Sequence, residues 1–228
     1  MALPIAKAVS DASHRLSEVR AAIAKAAQLA GRRPADVTLI AVSKTHPPHA
    51  IEALIEAGQR DFGENRIQEM QDKWPALRER HPNVRLHFIG RLQSNKAAEA
   101  VALCDAIHSV DRPSLLQALA KAMAAAERRP DCFLQVNIGD EPQKGGCPVA
   151  QLPALVDQAR GAGLPLVGLM CIPPAEVEPA PYFALLAKLA RRHDVTDLSI
   201  GMSGDFETAV MIGATHVRVG TSLFGERR

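Results

Sequence analysis

Strand-like and helix-like segments alternate along this chain from residue 37 almost to its end. Short runs of β-branched and apolar residues, such as 37–42 and 132–137, each precede a segment with apolar residues at helical spacing. Counted through to the last run, at 216–219, there are eight strands, each followed by a helix or a helix-like segment. Strict alternation predicts a parallel sheet, and eight units favour closure of that sheet into a barrel.

The predicted strands span residues 37–42, 61–63, 85–89, 106–110, 132–137, 166–169, 198–200 and 216–219. The predicted helices between them span residues 50–57, 67–77, 95–103, 114–126, 149–162, 182–192 and 207–212. An additional amphipathic helix precedes the first strand, with Ser10 or Asp11 as its N-cap and Gly31 as its end. We therefore predict a single α/β domain over residues 1–228, a TIM-type (β/α)8 barrel over 37–228 with an extra N-terminal helix over 1–31.

An open, doubly wound sheet of the dinucleotide-binding kind is the alternative fold. Its fingerprint G-x-G-x-x-G follows none of the predicted strands, which favours the barrel. The net charge of +2 gives no strong field for binding nucleic acid or an anionic membrane. The first residues lack a signal-peptide pattern and no apolar run approaches the length of a membrane span, so a cytoplasmic protein is expected.

The four cysteines are too far apart in the sequence for a C-x-x-C pair. They are Cys104, Cys132, Cys147 and Cys171. This spacing indicates neither a zinc site nor a disulfide framework, and small buried apolar residues are the expected role.

Two glycine-containing loops follow the last two predicted strands. They read GMSGD at 201–205 and GTS at 220–222. In barrels of this kind, ligands bind at the C-terminal ends of the strands, and phosphates often bind at the last two loops. Glycine permits close backbone approach and a following helix start attracts anions, which predicts a phosphate site. The alternative is a pair of tight turns with Ser or Thr caps.

Lys44 ends the first strand, and barrel closure would place it beside the last strand. Side chains alternate along a strand, so Arg218 points into the barrel if Val217 and Val219 pack under the outer helices. A buried guanidinium needs a partner, either a ligand or an inward carboxylate. A phosphate site, an amine and a guanidinium around one cavity indicate a phosphorylated aldehyde held as a Schiff base, and pyridoxal phosphate fits that description.

A set of motifs occurs in order over nearly the whole chain and resembles the pyridoxal phosphate homeostasis protein family. The motifs are AVSKT (41–45), FGEN (62–65), HFIG (87–90) with LQSNK (92–96), GLM (168–170), GMSGD (201–205) and VRVGTSLFG (217–225). The resemblance implies a barrel similar to the N-terminal domain of alanine racemase and other fold-type III enzymes. It also implies pyridoxal phosphate attached to Lys44, with Arg218 facing the pyridine nitrogen and Asn65 near the cofactor. The residues it assigns to the phosphate are Ser203, Gly204, Gly220 and Thr221.

The remaining residues favour a cofactor holder over an enzyme. Arginine at the pyridine nitrogen favours the unprotonated ring, which is a weaker electron sink. Racemisation needs a second acid/base group, a tyrosine in alanine racemase, whereas the single tyrosine here, Tyr182, is predicted to start an outer helix. The resemblance implies a monomeric protein of cofactor and amino-acid homeostasis without robust catalysis, with apo forms of pyridoxal phosphate enzymes as candidate recipients. The alternative is a small racemase that uses Lys44 and a second base such as His87.

Several further features have two interpretations each. His46 and His49 are possible metal ligands, but a proline pair separates them and no third ligand is evident. Lys96 and Lys144 could form a secondary anion or transfer site, although loop lysines are usually just solvated. The proline-rich stretch 172–181 is either a lid or a stiff connection. Of the departures from the family pattern, at His46, Arg91 and Cys171, only Cys171 lies where it could alter the pocket.

Overall fold

The computed structural model describes residues 3–225 of the chain. Its strands, β1 to β9 in order, span Thr38–Val42, Asp61–Glu64, Arg85–Phe88, Ala106–Val110, Asp131–Asn137, Cys147–Pro148, Leu166–Met170, Asp197–Ser199 and His216–Val219. Its α-helices, α1 to α9, span Leu3–Leu29, Pro48–Glu56, Ile67–Arg80, Ala97–Leu103, Pro113–Ala126, Leu152–Gly161, Ala180–Arg192, Phe206–Ile212 and Thr221–Phe224. Single 3-10 turns lie at Pro34–Asp36, Ser94–Lys96 and Val149–Gln151.

Eight of these strands form a closed parallel ring in the order β1-β2-β3-β4-β5-β7-β8-β9. The ring closes between the first and the last strand, where Leu39 lies opposite Val217 and Ile40 lies opposite Arg218. The short strand β6 pairs with β5 alone, outside the ring. The prediction of a (β/α)8 barrel with an extra N-terminal helix is confirmed.

The start of α1 corrects one expectation. The helix already includes Leu3, so Ser10 and Asp11 lie inside it and neither is the N-cap. Both side chains are exposed, and the buried stripe of the helix continues past them at Ala12 and Leu16. A polar side chain on the solvent face therefore does not end this helix, whereas Gly31, with φ +66°, follows its end as expected.

The predicted and observed strands agree to within one or two residues. Two helices, α4 and α6, begin later than predicted because each is preceded by a single 3-10 turn. Strand β6 was not predicted, because a two-residue strand has no periodicity of its own and exists only through its pairing with β5. The stretch 172–181 is also not all loop, since α7 begins at Ala180.

The main core lies between the outward faces of the strands and the surrounding helices. A smaller apolar cluster of Ala106, Phe133 and Met170 fills part of the barrel interior. Helix α1 packs against α2 and α8 and contributes Leu16 and Ile23 to the main core. Within residues 3–225, no helix is long and apolar enough to cross a membrane.

Two glycines allow the loops at the C-terminal end of the barrel to approach one another. A Cβ atom added at Gly90 would lie 2.1 Å from the carbonyl oxygen of Asn65, so the loops after β2 and β3 touch through their backbones. Gly201 has φ +91°, and a Cβ there would lie 2.6 Å from that of Ala209 in α8. Glycine at both positions therefore lets these loops turn inward around one space.

Candidate functional site

A cavity of about 320 Å³ opens at the C-terminal ends of the barrel strands. All seven residues predicted to bind the cofactor line it: Lys44, Asn65, Ser203, Gly204, Arg218, Gly220 and Thr221. The remaining lining residues are Val42, His46, Ile89, Ile172, Met202 and Gly225. The barrel thus brings together side chains from both ends of the sequence, in a volume at the lower end of the ordinary range for ligand sites.

Lys73 of α3 holds the loop that carries Lys44 through hydrogen bonds to the loop backbone. The Lys73 Nζ donates to the backbone oxygens of Ser43, at 3.1 Å, and His46, at 3.3 Å. The Glu69 carboxylate accepts a hydrogen bond from the backbone N–H of Thr45. Thr45 has φ +65°, a left-handed conformation that is unfavourable for a β-branched residue. These contacts hold the strained loop on both sides of Lys44.

A buried carboxylate completes this support. One oxygen of Glu64 lies 2.7 Å from the Lys73 Nζ and accepts hydrogen bonds from the Ser43 hydroxyl, at 2.8 Å, and the Trp74 indole, at 3.2 Å. Sequence reasoning missed Glu64, Lys73 and Glu69 as supporting residues. A signal was present, because Lys73 occupies a position on the buried stripe of α3, next to Trp74.

Arg218 is buried inside the barrel, as the alternation along β9 predicts. Its Nη1 donates to the backbone oxygen and the hydroxyl of Ser199, both at 2.6 Å, and its Nη2 donates to the backbone oxygen of Cys171 at 3.0 Å. Burial lowers the pKa of Arg218 to about 10, which leaves it charged at neutral pH. In the described part of the chain no carboxylate forms an ion pair with it, so its hydrogen-bond partners are neutral groups.

The two glycine-containing loops lie side by side. The backbone N–H of Gly220 donates to the Ser203 hydroxyl at 3.2 Å, which links the loop after β9 to the loop after β8. Helices α8 and α9 begin at Phe206 and Thr221, so a helix starts directly after the first loop and within the second, in line with the predicted helix starts. Backbone N–H groups at helix starts are suited to an anion.

Asn65 supplies an unusual acceptor at the same cavity. Its Oδ1 is buried and has no hydrogen-bond partner among the residues that the structure describes. Buried polar atoms are nearly always paired, so an orphaned acceptor in a ligand-sized cavity marks a place where a bound molecule can donate.

Other residues considered from the sequence lie elsewhere or have other contacts. His46 lines the cavity and its ring stacks on that of Phe224, at 4.2 Å between centroids. Over residues 3–225, no group of three His, Cys, Asp or Glu side chains could hold a metal ion. Lys96 pairs with Glu99 at 3.0 Å and Lys144 pairs with Glu141 at 2.6 Å, both outside the cavity lining.

His87, considered as a second base, is placed away from the cavity. Both of its ring nitrogens are engaged inside the barrel, with Asp61 and His108, each at 3.0 Å. The fourth cysteine, Cys171, contributes a backbone oxygen to Arg218 rather than a side chain to the cavity.

The fold and the cavity define the class of protein first. It is a (β/α)8 barrel of the alanine racemase N-terminal domain type, and the sequence profile of that domain matches residues 15–228. An alanine racemase from Streptomyces coelicolor shares the fold, with a TM-score of 0.72 and 22% identity over 96% of this chain and 59% of the racemase.

Closer relatives give the particular family. A pyridoxal phosphate homeostasis protein of Pseudomonas aeruginosa is 41% identical, over 96% of this chain and 97% of the relative. PipY of Synechococcus elongatus, whose structure was solved with pyridoxal phosphate bound, is 39% identical with a TM-score of 0.79, over 94% of this chain and all (100%) of PipY. This chain belongs to the pyridoxal phosphate homeostasis protein family, which confirms the resemblance of its motifs.

Proposed function

We propose that this protein binds pyridoxal phosphate as a Schiff base on Lys44 and acts in intracellular cofactor and amino-acid homeostasis without robust catalysis. The observation that carries the proposal is the cavity in which Lys44, the buried cation Arg218 and the two glycine-containing loops meet. The relatives support it, since one is named for pyridoxal phosphate homeostasis and another was solved with the cofactor bound.

The groups around the cavity fit the three polar parts of this cofactor. A phosphate dianion matches the hydroxyl and backbone N–H groups of the two linked loops. A ring nitrogen is an acceptor that a guanidinium can serve, and the three hydrogen bonds of Arg218 leave two of the five N–H groups of an arginine for other partners. The orphaned Oδ1 of Asn65 is an acceptor for a ring hydroxyl.

In this proposal each group has a separate task. Lys44 supplies the amine that attaches the aldehyde carbon, and Ser203, Gly204, Gly220 and Thr221 bind the phosphate. Arg218 donates to the ring nitrogen and, as a fixed cation, disfavours its protonation. When bound, pyridoxal phosphate supplies an electrophilic aldehyde and an electron-accepting ring.

The same arrangement favours a holder over a catalyst. An unprotonated ring is a weaker electron sink, and two-base racemisation needs a second group opposite the lysine. Tyr182 belongs to α7 and is not among the lining residues, and His87 is engaged inside the barrel. We infer that release of the cofactor to apo-enzymes, rather than turnover, is the use of the site.

Borohydride reduction of the protein with pyridoxal phosphate, followed by peptide mass spectrometry, tests the attachment. We expect one adduct, on Lys44, and its loss in Lys44→Ala. Lys121→Ala is the matched control, because Lys121 is exposed on α5 and is not among the residues that line the cavity. Labels spread over surface lysines with Lys44 unlabelled would show that the assignment is wrong.

A racemisation assay with tag-free protein tests the absence of robust catalysis. His46 is the imidazole that lines the cavity, so His46→Gln is measured beside the unmodified protein. We expect no turnover above background from either. Turnover that disappears in both Lys44→Ala and His46→Gln would instead establish the racemase.

A further inference from the structure

A chain of hydrogen bonds, buried except at Asp61, runs through the barrel from its N-terminal end to Arg218. The Asp61 Oδ1 lies 3.0 Å from the His87 Nε2, and the His87 Nδ1 lies 3.0 Å from the His108 Nε2. The His108 Nδ1 lies 2.8 Å from the Ser199 hydroxyl, which in turn accepts from the Arg218 Nη1 at 2.6 Å. Five side chains from five strands therefore form one continuous path.

The two ends of this path demand the same hydrogen-bond direction. A guanidinium can only donate, so Ser199 accepts from Arg218 and its own O–H is available for the His108 Nδ1. An ionised carboxylate can only accept, so the His87 Nε2 must carry a proton toward Asp61. His108 then accepts at Nδ1 from Ser199 and donates from Nε2 to the His87 Nδ1, so each imidazole carries its proton on Nε2. With the opposite direction, the His87 Nε2 would be unprotonated, and two acceptors, this nitrogen and the Asp61 carboxylate, would face each other.

The surroundings keep His108 neutral and fixed in place. Its ring stacks on Phe133, with centroids 4.2 Å apart and planes 12° apart. Burial, reinforced by His87, His216 and Arg218, lowers the pKa of His108 well below its ordinary value. A neutral imidazole has one donor and one acceptor nitrogen, which is what a one-way path requires.

The path joins two openings of the protein. Asp61 is partly exposed, at 22% of its side chain, and lines a separate cavity near Arg20 and Arg60. Arg218, at the other end, lines the proposed cofactor cavity. The path thus connects the Arg218 guanidinium in that cavity to the Asp61 carboxylate at the opposite end of the barrel.

We propose that Asp61, His87, His108 and Ser199 are positioning residues, which set the hydrogen-bond direction and the place of the Arg218 guanidinium in the cavity. Only the expected effect of these residues on pyridoxal phosphate affinity rests on the proposed function. The imidazole tautomers follow from the path itself and exist without any ligand.

The first test is a long-range proton–nitrogen NMR spectrum of the ligand-free, ¹⁵N-labelled protein. We expect His87 and His108 as neutral Nε2–H tautomers, with signals assigned through His87→Gln and His108→Gln. The tautomers are read from the unmodified protein, and the two variants serve only to assign its signals. An Nδ1–H tautomer at His108 would overturn the proposal.

The second test is a double-mutant cycle on cofactor affinity, read by the absorbance of the bound cofactor. Asp61→Ala is expected to shift the His108 signals, although the two residues do not touch, and to weaken binding about 5-fold, or about 1 kcal/mol. Asp72→Ala, at an exposed position on α3, is the matched control and should change affinity less than about 2-fold.

Ser199→Ala breaks the path next to Arg218 and completes the cycle. In that background we expect Asp61→Ala to have no further effect on affinity, because its route to Arg218 is already cut. Additive losses, or unchanged His108 signals in Asp61→Ala, would overturn the proposal. If the unmodified protein binds no pyridoxal phosphate, the proposed function fails, while the NMR spectrum still decides whether the path exists.

Discussion

Replacing Lys73 with methionine should destabilise the protein by about 4 kcal/mol. Methionine keeps the apolar stem of a side chain that is 9% exposed, but it removes the cation from Glu64, which is fully buried at 0% exposure. Breaking a buried ion pair by deleting one partner costs about 3–5 kcal/mol. The second pair, with Glu69 at 2.8 Å, is partly exposed and adds less than about 1 kcal/mol.

Urea unfolding followed by circular dichroism measures this free energy, provided that the transition is two-state. For a chain of this length, 4 kcal/mol corresponds to a fall in Tm of about 8–16 °C. Lys96→Met is the control, because it removes a cation from the exposed pair with Glu99 and should cost at most about 1 kcal/mol.

A second substitution separates the charge from the packing. In Lys73→Met, the added change Glu64→Gln removes the uncompensated buried charge, so we expect it to recover a large part of the loss. The reasoning is refuted if Lys73→Met destabilises the protein no more than Lys96→Met does. Lys73 also holds the loop that carries Lys44. Lys73→Met should therefore slow attachment of the cofactor, which the borohydride label reports.

Three further predictions concern backbone contact, pH and thiol reactivity. Gly90→Ala should cost at least about 2 kcal/mol in urea unfolding, because its Cβ would strike backbone at 2.1 Å, whereas Gly161→Ala meets nothing within 4 Å and should stay within about 0.5 kcal/mol. Burial lowers the pKa of His216 to about 3. Below about pH 6.5 the unfolded chain therefore binds a proton that the folded protein does not bind, and the free energy of unfolding decreases as the pH is lowered. His216 alone should lower the unfolding free energy by about 2.5 kcal/mol between pH 7 and pH 4.5, a slope that His216→Gln loses and the exposed His14→Gln keeps. Burial raises the pKa of Cys132 to about 12, and all four cysteines are free and buried, so a thiol reagent at pH 8 should label the protein only after unfolding in urea; rapid labelling of the native protein would contradict this.

The barrel itself was predictable because its signals are local. Each strand is a short apolar run and each helix an amphipathic stretch, and their strict alternation admits few parallel architectures. The elements that escaped prediction have no such signal. Strand β6 exists only through its pairing with β5, and the sequence has no Ser, Thr, Asp or Asn before Ser10 that could mark the start of α1.

The site divides in the same way. Lys44, Arg218 and the two glycine-containing loops could be chosen from the sequence, because they follow strand ends and strand ends meet at one face of a barrel. The partners of these groups could not be chosen. An inward arginine needs some partner, but only the folded chain selects neutral oxygens of Ser199 and Cys171 over a carboxylate.

The sequence by itself therefore determined the order of the elements, the closure of the barrel and the residues that face its C-terminal end. Tertiary structure alone decided the support of Lys44 by Lys73 and the path from Asp61 to Arg218. The physical reason is that hydrophobic periodicity is written in neighbouring residues. Hydrogen-bond partners depend on distances of about 3 Å between strands far apart in the chain, which arise only when the barrel closes.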